Sequence, residues 1–308
     1  MTTALFTHSA CLAHDTGPGH PERIERLQAI VEALADPRFI ALDRREAPRA
    51  SRADLLRVHP AAYVDHVFAS VPANGYGAID ADTILSPGSG EAALRAAGAV
   101  VAAVDAVMAN EIANAFCAMR PPGHHAEADQ AMGFCLFNNV AIGAHHARAQ
   151  HGISRVAVMD FDVHHGNGTQ HIFERDSNLF YASTHQMPLY PGTGAEEEQG
   201  VGNICNAPLP PLAGSDLFRK AMERRVLPAL EGFAPELLII SAGFDAHAAD
   251  PLAELMLQES DYAWATDALI ALAKRHCAGR VVSALEGGYN LDALARSAAI
   301  HIERLMAA

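Results

Sequence analysis

Two aspartates and a histidine alternate along one short segment, and their types and spacing favour a metal site. Asp160, Asp162 and His164 follow an apolar run at residues 156–159 that predicts a β-strand. Because alternate side chains of an extended backbone share a face, these groups converge where the strand ends. Carboxylate oxygens and imidazole nitrogens are ligands of zinc and of neighbouring divalent ions. The alternative interpretation is a hydrogen-bonded structural cluster, and it would be the better one if only an Asp-x-Asp pair were present.

Three further predicted strands also end in polar groups. These ends carry His124 with His125, Asp245, and Tyr289 after the pair Gly287-Gly288. In an open parallel sheet, ligands bind beyond the carboxyl ends of the strands. The sequence therefore predicts one site that is assembled from four strand ends.

Asp162, His164 and Asp245 form a candidate set of three ligands with a fourth position open. Structural zinc is normally closed by four protein ligands, so this set predicts a catalytic metal. An open position admits water and a substrate carbonyl, which the metal activates. We expect His124-His125 to supply the proton acceptor.

Tyr289 is predicted to donate a hydrogen bond to the oxyanion of a tetrahedral intermediate. Together with a metal and a base, it predicts hydrolysis of a carbonyl derivative, most simply an amide. Each part alone has an ordinary structural interpretation: a surface histidine pair, a packed tyrosine, a glycine turn, or a helix cap at Asp245. Asp250-Pro251 indicates a helix start rather than another ligand.

Apolar runs alternate with helical patterns along the chain. Strands are predicted at residues 3–6, 114–119, 155–159, 179–183, 236–241 and 280–285. Helices are predicted at residues 21–34 (from Pro21), 91–108, 138–150, 216–230, 260–277 (capped by Ser260) and 291–306. This alternation predicts an α/β fold, a three-layer α/β/α sandwich with a mostly parallel sheet. With no linker or internal repeat, residues 1–308 are predicted to form a single domain.

The composition of the 308-residue chain narrows the classes of partner. Its formal charge of −14 argues against nucleic acid and suits cationic ligands. Its apolar runs are too short for a membrane span, and its first residues do not predict a secretory signal. The five cysteines form no Cys-x-x-Cys pair, which favours reduced thiols and a cytoplasmic location. The oligomeric state is unknown from the sequence.

Long ordered motifs carry a resemblance over nearly the whole chain. These motifs are residues 19–23 (GHPER), 120–126 (RPPGHHA), 133–139 (GFCLFNN), 160–168 (DFDVHHGNG), 241–245 (SAGFD) and 286–290 (EGGYN). The chain resembles the histone deacetylase superfamily, in its class II-like bacterial branch of deacetylases and acetylpolyamine amidohydrolases. The resemblance implies the arginase-deacetylase fold and places zinc on the same three ligands.

The resemblance also implies roles for the remaining site residues. It makes His125 the general base and then general acid, and it gives His124 an electrostatic supporting role. The implied partners are Asp160 for His124 and Asn167 for His125; class I enzymes carry aspartate at the latter position. Tyr289 is implied as the oxyanion donor, where the feeble class IIa enzymes carry histidine.

A structural potassium ion and an acyl-lysine tunnel are further implications of the resemblance. The potassium would be held by the side chains of Asp160 and Ser183 and by the backbone carbonyls of residues 162, 164 and 184. Gly133, Phe134 and Tyr190 would line the tunnel, and Tyr190 departs from the phenylalanine that is usual there. Residues 20–23 would lie on the entrance or internal-cavity side.

The substrate is left open between acetylated lysine in a peptide or protein and acetylated polyamines. Polyamine-selective relatives place glutamate after the Asp-Pro pair, whereas this chain has Leu252, as broad lysine deacetylases do. We therefore expect acetyl-lysine substrates. The cellular metal is also left open, because iron(II) could replace zinc.

Two other functions compete with this interpretation. A dimanganese arginase-like hydrolase would use Asp160, Asp162, Asp245 and Asp250, but His165 and Asn167 stand where it needs bridging carboxylates. A non-enzymatic metal or acyl-ligand sensor would have no need of His125 and Tyr289.

Overall fold

Short apolar segments form most of the strands in the computed structural model, which describes residues 2–308. The strands are β1 (Thr3–Thr7), β2 (Asp43–Glu46), β3 (Gly77–Ala78), β4 (Ile84–Leu85), β5 (Asn114–Cys117), β6 (Val156–Asp160), β7 (Leu179–Gln186), β8 (Ile204–Leu209), β9 (Leu237–Ala242) and β10 (Val281–Leu285). Eight of them form one sheet in the order β2-β1-β5-β10-β9-β6-β7-β8.

All pairings within this sheet are parallel. β3 and β4 form a separate antiparallel pair. In the sheet register, Asp160 stands opposite Ser183 on β7 and Ser241 on β9. The carboxyl ends of β6, β7 and β9 therefore coincide, which brings the loops that follow them to one edge.

Within residues 2–308, ten α-helices connect or flank these strands. They are α1 (Ile24–Ala33), α2 (Arg52–Leu55), α3 (Ala61–Ser70), α4 (Ser89–Met108), α5 (Asn139–His151), α6 (Asn167–Phe173), α7 (Ser215–Ala221), α8 (Leu227–Phe233), α9 (Glu259–His276) and α10 (Leu291–Met306). α4 packs on α5, and α9 packs on α10, each pair against the sheet. Right-handed connections put these two pairs on opposite faces of the sheet.

The predicted fold class is confirmed: the chain forms an α/β sandwich around a mostly parallel sheet. The central strands are buried throughout, as their continuous apolar runs predicted. No helix within residues 2–308 is long and apolar enough to cross a membrane. The five cysteines are free and buried, and the cytoplasmic location stays a prediction. The single domain over residues 1–308 also stays a prediction.

Several predicted boundaries were wrong. α1 begins at Ile24 rather than Pro21, and α9 is capped by Gln258 rather than Ser260, because Gln258 and Asp261 form a capping box. The helix predicted at residues 216–230 is interrupted by a π-helical turn, Met222–Val226, between α7 and α8. The sheet also has two unpredicted edge strands, β2 and β8.

Candidate active site

The predicted metal ligands lie at the carboxyl ends of two neighbouring strands. Asp162 and His164 follow β6, and Asp245 follows β9 beside it. Nδ1 of His164 lies 3.1 Å from Oδ1 of Asp162 and 3.1 Å from Oδ2 of Asp245. One ligand atom from each residue falls within 4.8 Å of the other two, and all three residues are buried. The structure therefore brings the predicted ligand set together.

Backbone groups fix the orientation of both carboxylates. The N–H of Gly287 donates to Oδ2 of Asp162 at 2.7 Å, and the N–H of Val163 donates to Oδ1 of Asp245 at 2.9 Å. A Cβ atom at Gly287 or at Gly243 would clash with these carboxylate oxygens. Glycine is needed at both positions because the backbone passes directly against the ligands.

The ligand cluster concentrates negative charge away from water. Burial, followed by the charge of Asp162, raises the pKa of Asp245 to about 7. Burial opposes the charged form of His164, but Asp162 and Asp245 outweigh it and raise the pKa of His164 to about 10. A divalent cation at this position would offset both carboxylates and compete with the proton on His164. The donor set therefore fits a metal such as zinc.

His124 and His125 lie in the loop after β5, each beside the partner that the resemblance implied. Nδ1 of His124 lies 3.0 Å from Oδ2 of Asp160, and Nδ1 of His125 lies 2.8 Å from Oδ1 of Asn167. The centroids of the two imidazole rings are 4.0 Å apart.

The two histidines differ in pKa because carboxylates dominate the surroundings of only one of them. Burial disfavours charge on His124, but Asp162 and Asp160 outweigh it and raise the pKa of His124 to about 10. Burial, followed by the charges of His124 and His164, holds the pKa of His125 well below its ordinary value. His125 is therefore neutral and able to accept a proton.

Tyr289 follows β10 and lines the same cavity as His125. The guanidinium of Arg26 lies 4.8 Å from the centroid of the Tyr289 ring. Burial raises the pKa of Tyr289 well above its ordinary value, although Arg26 opposes this shift. The phenol therefore stays protonated and can act as a hydrogen-bond donor.

Asp250 fixes the turn that carries Tyr289. The prediction that a helix starts at Asp250-Pro251 was wrong, because no helix begins there. Oδ2 of Asp250 accepts from the N–H of Tyr289 at 2.7 Å and from the N–H of Asn290 at 3.3 Å. Its Oδ1 accepts from the N–H of Leu252 at 3.0 Å. Asp250 therefore holds the backbone of the Tyr289 turn through two hydrogen bonds and the backbone of Leu252 through a third.

A cavity of about 210 Å³ adjoins the ligand cluster. Its lining contains all four predicted substrate-binding residues, and consists of Asp82, His125, Gly133, Phe134, His164, Leu189, Tyr190, Leu252 and Tyr289. The larger cavities elsewhere, of about 220 to 590 Å³, are lined by none of the predicted site residues.

The cavity is narrow beside His125. Gly133 has a φ of +56°, and a Cβ atom there would lie 2.5 Å from Cδ2 of His125. The Tyr190 ring stands nearly perpendicular to the His125 ring, with 5.2 Å between centroids. The ring of His20 packs edge-on against Phe134 at 4.8 Å, which puts the start of residues 20–23 beside the cavity wall.

Ser183 and Asp160 are neighbours, as the proposed potassium site requires, but each also has protein partners. Oγ of Ser183 lies 2.8 Å from Nδ1 of His185. The hydroxyl of Tyr181 donates to Oδ2 of Asp160 at 3.1 Å. The neighbouring Thr184 has a buried Oγ1 without a hydrogen-bond partner.

Glu286 positions the histidine loop, a role that the sequence did not predict. Its Oε2 accepts from the N–H of Gly123 at 2.7 Å and from the N–H of His124 at 3.1 Å. Oγ of Ser241 donates to its Oε1 at 3.1 Å. The acidic residue directly after the apolar run of β10 was the available signal.

A buried ion-pair network behind Tyr289 was also missed. Glu22, Arg26 and Arg120 are fully buried, and both arginines donate to the Glu22 carboxylate. Arg26 also donates to the carbonyls of Glu286 and Gly288, so it ties the network to the Tyr289 turn. The i, i+4 spacing of Glu22 and Arg26 was the local sequence signal for their ion pair.

Comparison with known proteins agrees with the resemblance that the sequence motifs indicated. Residues 20–305 match the model of the histone deacetylase domain. The chain is 43% identical over 313 residues to the histone deacetylase-like amidohydrolase of Pseudomonas aeruginosa, and the match covers 94% of this chain and 82% of that protein. A probable deacetylase of Archaeoglobus fulgidus is 40% identical over 299 residues, with 95% of this chain and 82% of that protein covered.

A solved structure shares the whole fold. The crystal structure of the HDA15 HD domain matches with a TM-score of 0.94 and 36% sequence identity, covering 99% of this chain and 90% of that one. The motif resemblance is thereby confirmed over nearly the full length, and the chain belongs to the histone deacetylase family.

Proposed function

We propose that the chain is a zinc-dependent amidohydrolase that removes acetyl groups from lysine side chains. Its family supports the coarser activity, that of a deacetylase or amidohydrolase. One observation carries the proposal: His164 belongs both to the ligand cluster and to the lining of the cavity that His125 and Tyr289 share. A base, an oxyanion donor and a metal-ligand set thus surround one space.

Asp162, His164 and Asp245 would hold the metal. Zinc bound there would act as a Lewis acid on the amide carbonyl and on water. Iron(II) could be held by the same imidazole and carboxylate ligands. The chain's own contribution is to keep the two carboxylates oriented through backbone N–H groups.

His125 would move the protons of the reaction. Oδ1 of Asn167 accepts a hydrogen bond from the N–H at Nδ1 of His125, which leaves the lone pair of Nε2 to take a proton from the attacking water. His125 then returns that proton to the leaving amine nitrogen when the carbon–nitrogen bond breaks. His124, held positive by Asp160 and Asp162, would lower the pKa of His125 and stabilise negative charge on the substrate.

Tyr289 would stabilise the oxyanion. When water adds to the amide carbon, negative charge moves to the former carbonyl oxygen, and the phenol donates a hydrogen bond to it. Asp250 and Arg26 hold the backbone of the Tyr289 turn through hydrogen bonds, so the phenol is oriented before substrate binds.

Asp160 and Ser183 are proposed to hold a structural potassium ion, together with backbone carbonyls of residues 162, 164 and 184. Their adjacent positions on β6 and β7 support this proposal. The ion would fix the segment that carries Asp162 and His164.

Leu252 supports acetyl-lysine over acetylated polyamines as the substrate. It places an apolar side chain at the cavity, where a polycationic ligand would be better served by a carboxylate. Asp82 at the same cavity would attract either the free amines of a polyamine or basic residues that flank an acetyl-lysine, so the polyamine alternative is retained.

Acetate release separates these substrates. The zinc-loaded protein should release acetate faster from an acetyl-lysine peptide than from an N-acetylated polyamine, with kcat/KM measured for both. A Leu252→Glu variant should shift the ratio toward the polyamine. Faster hydrolysis of the polyamine by the unaltered chain would reverse the substrate assignment, and equal binding without acetate release would favour the sensor function.

A further inference from the structure

A second group of metal-ligating side chains lies between α4 and α5, on elements that supply none of the ligands described above. Asp105 belongs to α4, and His146 and His151 belong to α5. Their ligand atoms lie within 4.8 Å of one another. Nε2 of His146 is 2.6 Å and Nε2 of His151 is 2.7 Å from the same oxygen, Oδ1 of Asp105.

When both histidines are neutral, hydrogen bonds alone leave this arrangement poorly satisfied. If both Nε2 atoms carry protons, both donate to one oxygen of Asp105. Nδ1 of a neutral His146 would then carry only a lone pair. That lone pair would face Oδ1 of Asp54, 3.4 Å away, with no proton between the two atoms. That Nδ1 is buried and has no hydrogen-bond partner.

A cation between the three ligands resolves the conflict. It would accept the lone pairs of both Nε2 atoms, and the proton of His146 would move to Nδ1, facing Asp54. Metal-binding histidines commonly present their second ring nitrogen to a carboxylate in this way. Asp54 is itself held by Ser51 and Arg57, so it is placed to orient His146 rather than to bind the ion.

We propose that Asp105, His146 and His151 bind a first-row divalent ion, zinc or copper(II), at the α4–α5 interface. Two imidazole nitrogens and one carboxylate oxygen are the donor set that these ions prefer. The side chain of Asp105 is 52% exposed and that of His146 is 8% exposed, so the site is open to solvent on one side. Three protein ligands leave a position for water, and this site should bind more weakly than a closed four-ligand site.

The ion would link the last turn of α5 to α4. Nearby, the two helices already pack closely, because a Cβ atom at Gly143 would lie 2.5 Å from Cγ1 of Val100. His151 is the last residue of α5, and Gly152 ends the helix in the left-handed conformation. Binding at His151 would therefore hold the C-terminal end of α5, and helix ends are where fraying generally begins.

Counting bound zinc tests this proposal. The protein, with its catalytic site already loaded, is dialysed free of excess metal and titrated with Zn²⁺ by calorimetry at neutral pH. The wild type should take up one further equivalent, and this uptake should raise its melting temperature. Asp105→Asn and His151→Gln should each abolish the further equivalent while leaving the tightly held zinc and the rate of acetate release unchanged.

His276→Gln is the matched control. His276 also has its Nε2 2.7 Å from a single carboxylate, that of Glu231, but no second histidine adjoins it. This variant should keep the further equivalent. The proposal is overturned if the wild type binds no additional zinc, or if the additional zinc persists in both Asp105→Asn and His151→Gln. Melting curves of the metal-free variants show whether they are folded, independently of any activity.

Discussion

Oδ1 of Asn167 lies 2.8 Å from Nδ1 of His125, and this contact determines which nitrogen of His125 carries the proton. The amide nitrogen of Asn167 donates to Glu127 at 2.9 Å, so its oxygen must face the imidazole. An amide oxygen can only accept, and Nδ1 therefore carries the proton. Nε2 is left with its lone pair and is the atom that would accept a proton in the proposed mechanism.

Replacement of this amide by a carboxylate should shift the pH profile. In Asn167→Asp, the new negative charge stabilises the protonated form of His125 and raises its pKa. Because the base must be neutral, the acidic limb of the kcat/KM profile should move to higher pH. Asn178→Asp adds the same charge at an exposed position and should leave the limb in place. An unmoved limb in Asn167→Asp would remove His125 from the role of base.

Loss of the Tyr289 hydroxyl should slow turnover without loss of metal. Tyr289→Phe is expected to lower kcat by roughly two to three orders of magnitude, as the loss of one oxyanion donor does. Its zinc content should match the wild type. Tyr262→Phe is the control, because that buried hydroxyl has no hydrogen-bond partner and its loss should barely change kcat. Comparable rates for wild type and Tyr289→Phe would show that the phenol is not the donor.

Asp245→Ala should lose zinc and activity together, because one of three ligands disappears. The measurements are zinc per chain by atomic spectroscopy and the rate of acetate release. Asp267→Ala removes an exposed carboxylate that pairs with Arg304, and it should change neither quantity. Full zinc occupancy in Asp245→Ala would refute the ligand assignment.

A methyl group at Gly133 should impair catalysis beyond its effect on the fold. Gly133→Ala places Cβ 2.5 Å from Cδ2 of His125, which must then move. Gly152→Ala is matched to it, with a φ of +66° and no atom within 4 Å of the added Cβ. Both variants should lose about 1–2 kcal/mol of stability from left-handed strain. Only Gly133→Ala should also lower kcat, and equal kcat values would contradict the close packing.

Acid should weaken the fold through Glu22. Burial raises the pKa of this carboxyl, but Arg120 and Arg26 outweigh burial and lower the pKa to about 2. A depressed pKa means that the folded state binds the proton more weakly than the unfolded state. The contribution of Glu22 to the free energy of unfolding is therefore complete above its unfolded pKa of about 4.5. That contribution is lost as pH falls toward 2.

Urea unfolding at several pH values measures this contribution. Between about pH 5 and pH 2 the wild type should lose about 3 kcal/mol through Glu22, on the order of the pKa difference. Glu22→Gln cannot ionise, so its unfolding free energy should be lower overall and should fall less over the same range. Parallel pH curves for the two proteins would show that Glu22 is not ionised in the native state.

The proximity of Asp162, His164 and Asp245 could be predicted from the sequence because these residues directly follow apolar strands. Val156–Asp160 and Leu237–Ala242 are continuous buried strands, and parallel neighbours necessarily end at one edge. The residues of the cavity wall came from the family resemblance instead. Nothing in the local pattern around Gly133 or Tyr190 indicates a wall.

The features that were missed depend on tertiary contacts or on weak local patterns. β2 reads Asp-Arg-Arg-Glu and has no apolar face, and β8 contains Pro208, which an edge strand tolerates. The network of Glu22, Arg26 and Arg120 joins residues about a hundred positions apart, so only the fold reveals that these charges are buried.

Metal removal and return tests the central claim most directly. The protein is freed of metal with a chelator, and acetate release from an acetyl-lysine peptide is followed as zinc is added back. The metal-free chain should be inactive, and the rate should rise with bound zinc until the site of Asp162, His164 and Asp245 is filled. Full activity in the metal-free chain, or no acetate at any zinc occupancy, would contradict a zinc-dependent deacetylase.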